Sequence, residues 1–157
     1  MGFDVYGVKP KNETGKYFRN NIWWWRPIWQ YITIRCEDIL TEKDIKEGEY
    51  NNGHLISATK SRQIKERLQK LLKNGAVARY ELAYTKEMEE MPDESCEYCN
   101  KTGIRTSKIG EVEEKHTCNV CGGKGSLRPF VTNYPFKQDN VKRFVEFLEN
   151  NNGFKIY

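Results

Sequence analysis

Apolar and polar positions alternate at both ends of the chain, in FDVYG (Phe3 to Gly7) and FKIY (Phe154 to Tyr157). A period of two is what a half-buried strand requires, so the two segments read as short strands that pair and tie the termini together. Lys9 to Asn21 is polar and turn-rich and reads as a loop. Beyond it the period is helical. Pro27 suits a first helical turn, where its missing N–H costs nothing, and Ile28, Ile32, Cys36, Ile39 and Leu40 then predict a helix ending near Thr41. Thr41 and Asp44 predict one more short turn, and EGEYNNGH a loop around Gly48 and Gly53.

Ser57 is a good N-cap for the next helix, whose apolar set is Ile64, Leu68, Leu71 and Leu72 and whose stop is Asn74-Gly75. Val77, Tyr80, Tyr84, Met88 and Met91 continue at helical spacing as far as Pro92, which predicts a third helix packed back on the second. Asp139 reads as the cap of a last helix through Val141, Phe144, Val145 and Leu148, closed by the NNNG at Asn150 to Gly153. Residues 93–131 have another character, with cysteines, glycines and alternating polar positions. They read as a separate module inserted in a domain formed by residues 1–92 and 132–157. The expected class is α+β: a mainly helical domain with a small terminal β pairing and an inserted β-hairpin.

The inserted module carries the chemistry. CEYC (Cys96 to Cys99) and CNVC (Cys118 to Cys121) stand 18 residues apart, the spacing of a four-thiolate structural zinc site. Each CxxC turn sets two sulfurs on one side of a tight knuckle. GIRTSKIGEVEEKHT between them fits a hairpin turning near Gly110 that brings the second knuckle opposite the first. A redox pair is the competing reading, but redox CxxC motifs open a helix of an α/β domain, and neither pair has that context. The expectation is one zinc per chain on Cys96, Cys99, Cys118 and Cys121. Cys36, alone on an apolar helical face, reads as core. His116 is close to Cys118, but four thiolates already complete a structural site, and His54 sits in a loop without an evident partner.

CNVCGGKG (Cys118 to Gly125) resembles the CxxCxGxG repeat of the cysteine-rich zinc-finger region of DnaJ-type chaperones, and CEYCNKTG (Cys96 to Gly103) a weakened copy with Lys101 at the first glycine position. The resemblance implies the same four cysteines as ligands and gives Gly103, Gly123 and Gly125 the role of turning the backbone under the metal. It covers about a fifth of the chain. Two repeats stand where that family has four, which implies one zinc, and the HPD signature of the J-domain is missing, so no chaperone function carries over. The whole chain resembles a group of small, uncharacterised proteins of bacteria and their phages that open with GFDVYG, carry an FRNN-WWWRP segment (Phe18 to Pro27) and end in a GF-I motif (Gly153 to Ile156).

Charge then separates partners. The net charge of +4 hides a segregation: six acids between Glu37 and Glu49, seven bases against Glu66 between Ser57 and Arg79, and six acids between Thr85 and Glu97. Lys60, Arg62, Lys65, Arg67, Lys70 and Lys73 on the second helix are candidates for nucleic-acid phosphates, and zinc knuckles often place basic side chains such as Lys101, Arg105, Lys108, Lys124 and Arg128 beside nucleic acid. A solvated face is the plainer alternative. The other candidate surface is aromatic. Trp23, Trp24, Trp25 and Trp29 fall within seven residues. Trp25 and Trp29 are i, i+4 neighbours and read as packing, whereas Trp23 and Trp24 must diverge and, with Arg26, are candidates for contact with a partner protein.

The chain has no GxSxG, HExxH or Walker loop, and a closed four-thiolate zinc has no open position, so the expected role is binding rather than catalysis, with no small-molecule substrate identified. The opening lacks the order of a secretory leader and the apolar run from Ile22 to Ile34 is too interrupted to span a bilayer, so a cytoplasmic protein is expected. Its partner is then nucleic acid, a nucleic-acid-processing complex, or a protein that it docks or inhibits.

Overall fold

Strand β1 (Gly2–Gly7) turns Phe3 and Val5 inward and leaves Asp4 and Tyr6 toward solvent, as its alternation requires. It pairs antiparallel with β8 (Phe154–Ile156), Val5 opposite Ile156, so the two termini meet as the sequence predicts. The sheet is larger than that pair. Strand β2 (Tyr17–Asn21) covers the other side of β1 and β3 (His54–Ile56) the other side of β8, giving the order β2-β1-β8-β3. The stretch from Lys9 to Asn21 is therefore not all loop: a one-turn helix α1 (Glu13–Lys16), capped by Asn12, leads into β2.

Helix α2 (Ile22–Arg35) starts five residues before Pro27, because the Asn21 side chain accepts from the Trp24 N–H at 3.2 Å and caps it there. It also ends earlier than predicted, with the Cys36 N–H closing on the Ile32 carbonyl. Helix α3 (Glu42–Glu47) is the short turn expected at Thr41, built as a reciprocal capping box with Asp44. Helix α4 (Ala58–Lys73) has Ser57 as its N-cap, as predicted, and α5 (Ala76–Glu90) follows. Tyr80 and Tyr84 of α5 pack against Tyr31 and Phe136 rather than folding back along α4. Helix α6 (Gln138–Asn150) begins before Asp139, whose predicted capping role passes to Glu81: its carboxylate accepts from the Gln138 N–H at 2.7 Å.

The computed structural model describes residues 2–109 and 112–157, and the architecture is α+β. Two compact units are present, Met1–Thr85 with Asn133–Tyr157, and Lys86–Thr132. The core of the first lies between the sheet and the helices. Phe144 meets Phe18, Trp25 and Phe154 there, and Trp25 stacks on Phe3 and Trp29. The buried indoles keep their N–H groups paired, Trp25 with the Gly48 carbonyl at 2.8 Å and Trp29 with that of Ile45 at 3.0 Å. Cys36 is fully buried in this core, and burial pushes its thiol up to about 11.

In the second unit β4 (Glu94–Ser95) pairs with β7 (Ser126–Leu127), and β5 (Ile104–Ile109) pairs with β6 (Val112–Thr117) as the long hairpin between the knuckles. The turn expected at Gly110 lies outside the described residues. Among the described residues no helix is long and apolar enough to cross a membrane.

Candidate metal centre

The sulfurs of Cys96, Cys99, Cys118 and Cys121 all lie within 4.8 Å of one another, and all four residues are buried. Cys96 Sγ is 3.9 Å from Cys118 Sγ, and Cys99 Sγ 3.7 Å from Cys121 Sγ. A tetrahedron with metal–sulfur bonds of about 2.3 Å has edges of about 3.8 Å. The four donors thus stand at the corners that a thiolate-bound metal ion needs, and the residues fit it. His116 is exposed on β6 and is not part of the cluster.

The two knuckles share the same pair of backbone hydrogen bonds. The Lys101 N–H donates to the Cys96 carbonyl as that of Gly123 does to Cys118, and Thr102 N–H to Cys99 as Lys124 N–H to Cys121. Cys96 N–H donates to the Gly125 carbonyl and Cys118 N–H to that of Gly103, so each knuckle is also stitched to the other. Gly103 N–H points at Cys99 Sγ and Gly125 N–H at Cys121 Sγ, both at 3.3 Å, the kind of outer-shell donor that steadies a thiolate.

Glycine is required at the crossing points. Gly103 and Gly125 have φ of +72° and +75°, and a Cβ there would stand 2.1 Å from the Gly123 carbonyl oxygen and 2.2 Å from that of Lys101. The first knuckle keeps the same backbone without its other glycines: Asn100 and Lys101 have φ of +49° and +68° where Gly122 and Gly123 have +58° and +84°.

Proton sharing among the thiols follows from their closeness. Burial pushes the Cys96 thiol up to about 12. Burial acts the same way on Cys121, but the Gly125 N–H and the neighbouring thiols outweigh it and bring that group down to about 6. Four thiols this close hold their protons as one set, and a dication placed among them displaces the protons outright.

The six candidate bases of α4 do not share one environment. At about 100° per residue Arg62, Lys65, Lys70 and Lys73 fall within an arc of about 140°, while Lys60 and Arg67 lie together on another side of the helix. That side faces acids. Lys60 Nζ pairs with Asp44, and Arg67 grips Asp38 with both guanidinium nitrogens, at 2.7 and 3.1 Å, and the Arg35 carbonyl with one of them. Arg62, Lys65, Lys70 and Lys73 make no ion pair among the described residues. In the cysteine module Arg128 donates to the carbonyls of Met88 and Met91 at the end of α5 and pairs with Asp93, and Lys108 pairs with Glu113.

Asp44 is the polar centre that sequence reasoning missed. Its carboxylate, 7% exposed, accepts from Lys60 Nζ, from the Thr41 N–H and hydroxyl at 2.9 and 2.7 Å, and from His54 Nε2 at 2.9 Å. Burial raises its pKa, but these donors outweigh it and hold the carboxyl well below the usual carboxylate range. The Thr41-x-x-Asp44 capping spacing was the available signal, and His54 is its partner.

The tryptophans also divide. Trp25 and Trp29 are buried. Trp23 sets its ring 4.9 Å from that of Tyr134, over which the Arg26 guanidinium also lies, at 5.9 Å. Half-buried Trp24 lines a cleft of about 550 Å³ with Asn20, Glu81, Lys137, Asn140 and Arg143. No family model, no curated protein and no solved structure matches this chain.

Proposed function

We propose that this chain is a zinc-stabilised, non-catalytic binding protein that engages nucleic acid, or a complex that processes it, through the outer face of α4 and the zinc module. The metal is zinc because four buried thiolates in a closed tetrahedron suit a soft, redox-inert ion and leave no open position for a substrate. The observation that carries the nucleic-acid reading is the sorting of the α4 bases. Lys60 and Arg67 are spent on Asp44 and Asp38, whereas Arg62, Lys65, Lys70 and Lys73 lie on one face with no ion pair among the described residues. Beside the metal, exposed Tyr98 on a knuckle tip offers a ring on which a base can stack. The setting that suits such a protein is a bacterial or phage-infected cytoplasm.

The test is salt dependence. Four phosphate contacts to a single strand give a slope of log K against log salt of about −3. The variant with Arg62, Lys65, Lys70 and Lys73 all changed to Gln should lose both the affinity and the slope. Absence of binding to single- or double-stranded DNA and RNA at low salt rejects the reading.

A second reading rests on Trp24, which is half-buried and lines a cleft of about 550 Å³. It is a docking or inhibitory module for a protein partner. Trp24→Ala abolishing capture of that partner, with the four-base variant still competent, would favour it.

A further inference from the structure

The N-terminus of α4 opens into a small polar cleft of about 180 Å³, bounded by Thr59, Arg62, Lys65, Lys11 and Asn151. Ser57 Oγ accepts from the Lys60 N–H at 3.3 Å, and the Ser61 N–H closes on the Ser57 carbonyl. Ala58 and Thr59, which also line the cleft, have N–H groups with no intrahelical acceptor. A first helical turn of this kind carries partial positive charge.

Three cations stand around it. Arg62 and Lys65 have no ion pair among the described residues, and Lys11 Nζ reaches only a backbone carbonyl, that of Glu149, at 3.3 Å. The single carboxylate at the rim, Glu149, accepts from the Gln69 side chain.

An independent sign of a missing partner comes from Asn151. It is 4% exposed, and its Oδ1 accepts from the buried Ser61 hydroxyl at 2.8 Å, yet its Nδ2 has no hydrogen-bond partner. An unmet donor at such depth costs about 1–3 kcal/mol and marks a place where a water or an anion belongs. Helix end, cations, hydroxyl and spare amide all call for negative charge and acceptor oxygens.

A cleft of about 180 Å³ has room for one tetrahedral phosphate. We infer that the cleft at the α4 N-terminus, formed by Arg62, Lys65, Lys11, Thr59 and Asn151, seats one phosphate group, with its ester substituent left outside along the basic face. That the phosphate belongs to a nucleic-acid strand rests on the reading above; the chemistry of the seat does not.

Inorganic phosphate titrated into the full-length protein at low ionic strength tests the seat, with the Asn151 side-chain amide signals followed by ¹⁵N NMR. Phosphate should bind and shift those signals. Arg62→Gln, at an exposed position, should weaken binding about tenfold or more, and Lys43→Gln, which removes the same charge elsewhere, should not. Asn151→Asp, which keeps the acceptor for Ser61 and adds a negative charge, should abolish it. A single-stranded oligonucleotide with and without a 5′-phosphate then identifies the source. Displacement of either strand by phosphate assigns a strand phosphate to the seat, and tighter binding of the phosphorylated one makes it the terminal group. Salt-sensitive strand binding without phosphate binding, or equal phosphate binding by wild type and Arg62→Gln, overturns the seat and leaves the nucleic-acid reading standing. Phosphate binding that fails with Arg62→Gln, in a protein that binds no strand, sustains the seat and removes the nucleic-acid reading.

Discussion

Removing the metal should open residues 94–127 and leave the helical unit folded. Within Lys86–Thr132 the buried cluster consists of Cys96, Cys99, Cys118 and Cys121, with Leu127 partly buried against it. Burying one leucine contributes at most about 3 kcal/mol. A four-thiolate zinc contributes about 10–16 kcal/mol at neutral pH, so the metal outweighs the apolar term severalfold. The other unit has its own core of aromatic and aliphatic side chains and no such dependence. Metal analysis of protein purified under reducing conditions should give one zinc per chain. Hydrogen exchange before and after chelation should then show the amides of 94–127 losing protection by about 10³-fold or more, equivalent to about 4 kcal/mol. All four tryptophans lie in the helical unit, and Trp25 and Trp29 are 0% and 2% exposed, so their emission reports that unit alone and should not move. Cys118→Ser should reproduce the effect of the chelator. Unchanged protection of 94–127 in protein proven free of metal would refute the reasoning.

Lys101→Gly should stabilise the cysteine module by about 0.5–1 kcal/mol, since a left-handed backbone costs a non-glycine residue about 1–2 kcal/mol and glycine's extra freedom in the unfolded chain returns part of that; chelator competition measures it. Gly125→Ala should do the reverse and release metal at chelator concentrations the wild type withstands, because its Cβ would meet the Lys101 carbonyl oxygen. Asp44→Asn should cost about 2 kcal/mol at pH 7 in urea unfolding, below the usual price of breaking a buried pair because Lys60 is 27% exposed. With the Asp44 pKa depressed in the folded state, its contribution is present in full above the ordinary carboxylate value of about 3.9 and drains away only as pH falls from there through the depressed folded-state value, so the gap between wild type and variant should narrow below about pH 4 and still be measurable at about pH 3. Trp25→Ala should destabilise by about 3–5 kcal/mol and Trp24→Ala by no more than about 1 kcal/mol, read from the same urea curves.

How much of this was legible in the sequence depended on how far apart the interacting residues stand. The cysteine cluster was legible because metal chemistry fixes spacing locally, two residues inside each knuckle. Helix α4 was legible for the same reason: its cap at Ser57, its apolar stripe and its stop at Asn74-Gly75 lie within one continuous segment. Strands β2 and β3 were not, because YFRNN and HLI are too short to declare a period and exist as strands only through β1 and β8, which reach them from the two ends of the chain. The start of α6 was misplaced because its cap is Glu81, 57 positions away, a residue that no local pattern attaches to it.

The charge pattern and the tryptophans turn on the same kind of remote information. The acidic run at Glu37–Glu49 and the basic run at Ser57–Arg79 look like separate faces in the sequence, but Asp38 and Asp44 reach across to Arg67 and Lys60, so part of the segregation is an internal match. What remains unmatched on α4 is the smaller, more informative set. For the tryptophans the deciding residue is Asn21. By capping α2 at Ile22 it places Trp23, Trp24 and Trp25 on consecutive helical positions, each turned about 100° from the last, so one side of the helix can take only one of them together with Trp29. Trp25 is that one, stacked on Trp29 with ring centroids 5.5 Å apart. Trp23 turns to Tyr134, and Trp24 is left at the cleft. A helix starting at Pro27 would have put all three in an extended entry segment, with Trp24 on the opposite side from its neighbours; the cap three residues before Trp24, rather than the proline after it, determines which of the rings lines the cleft.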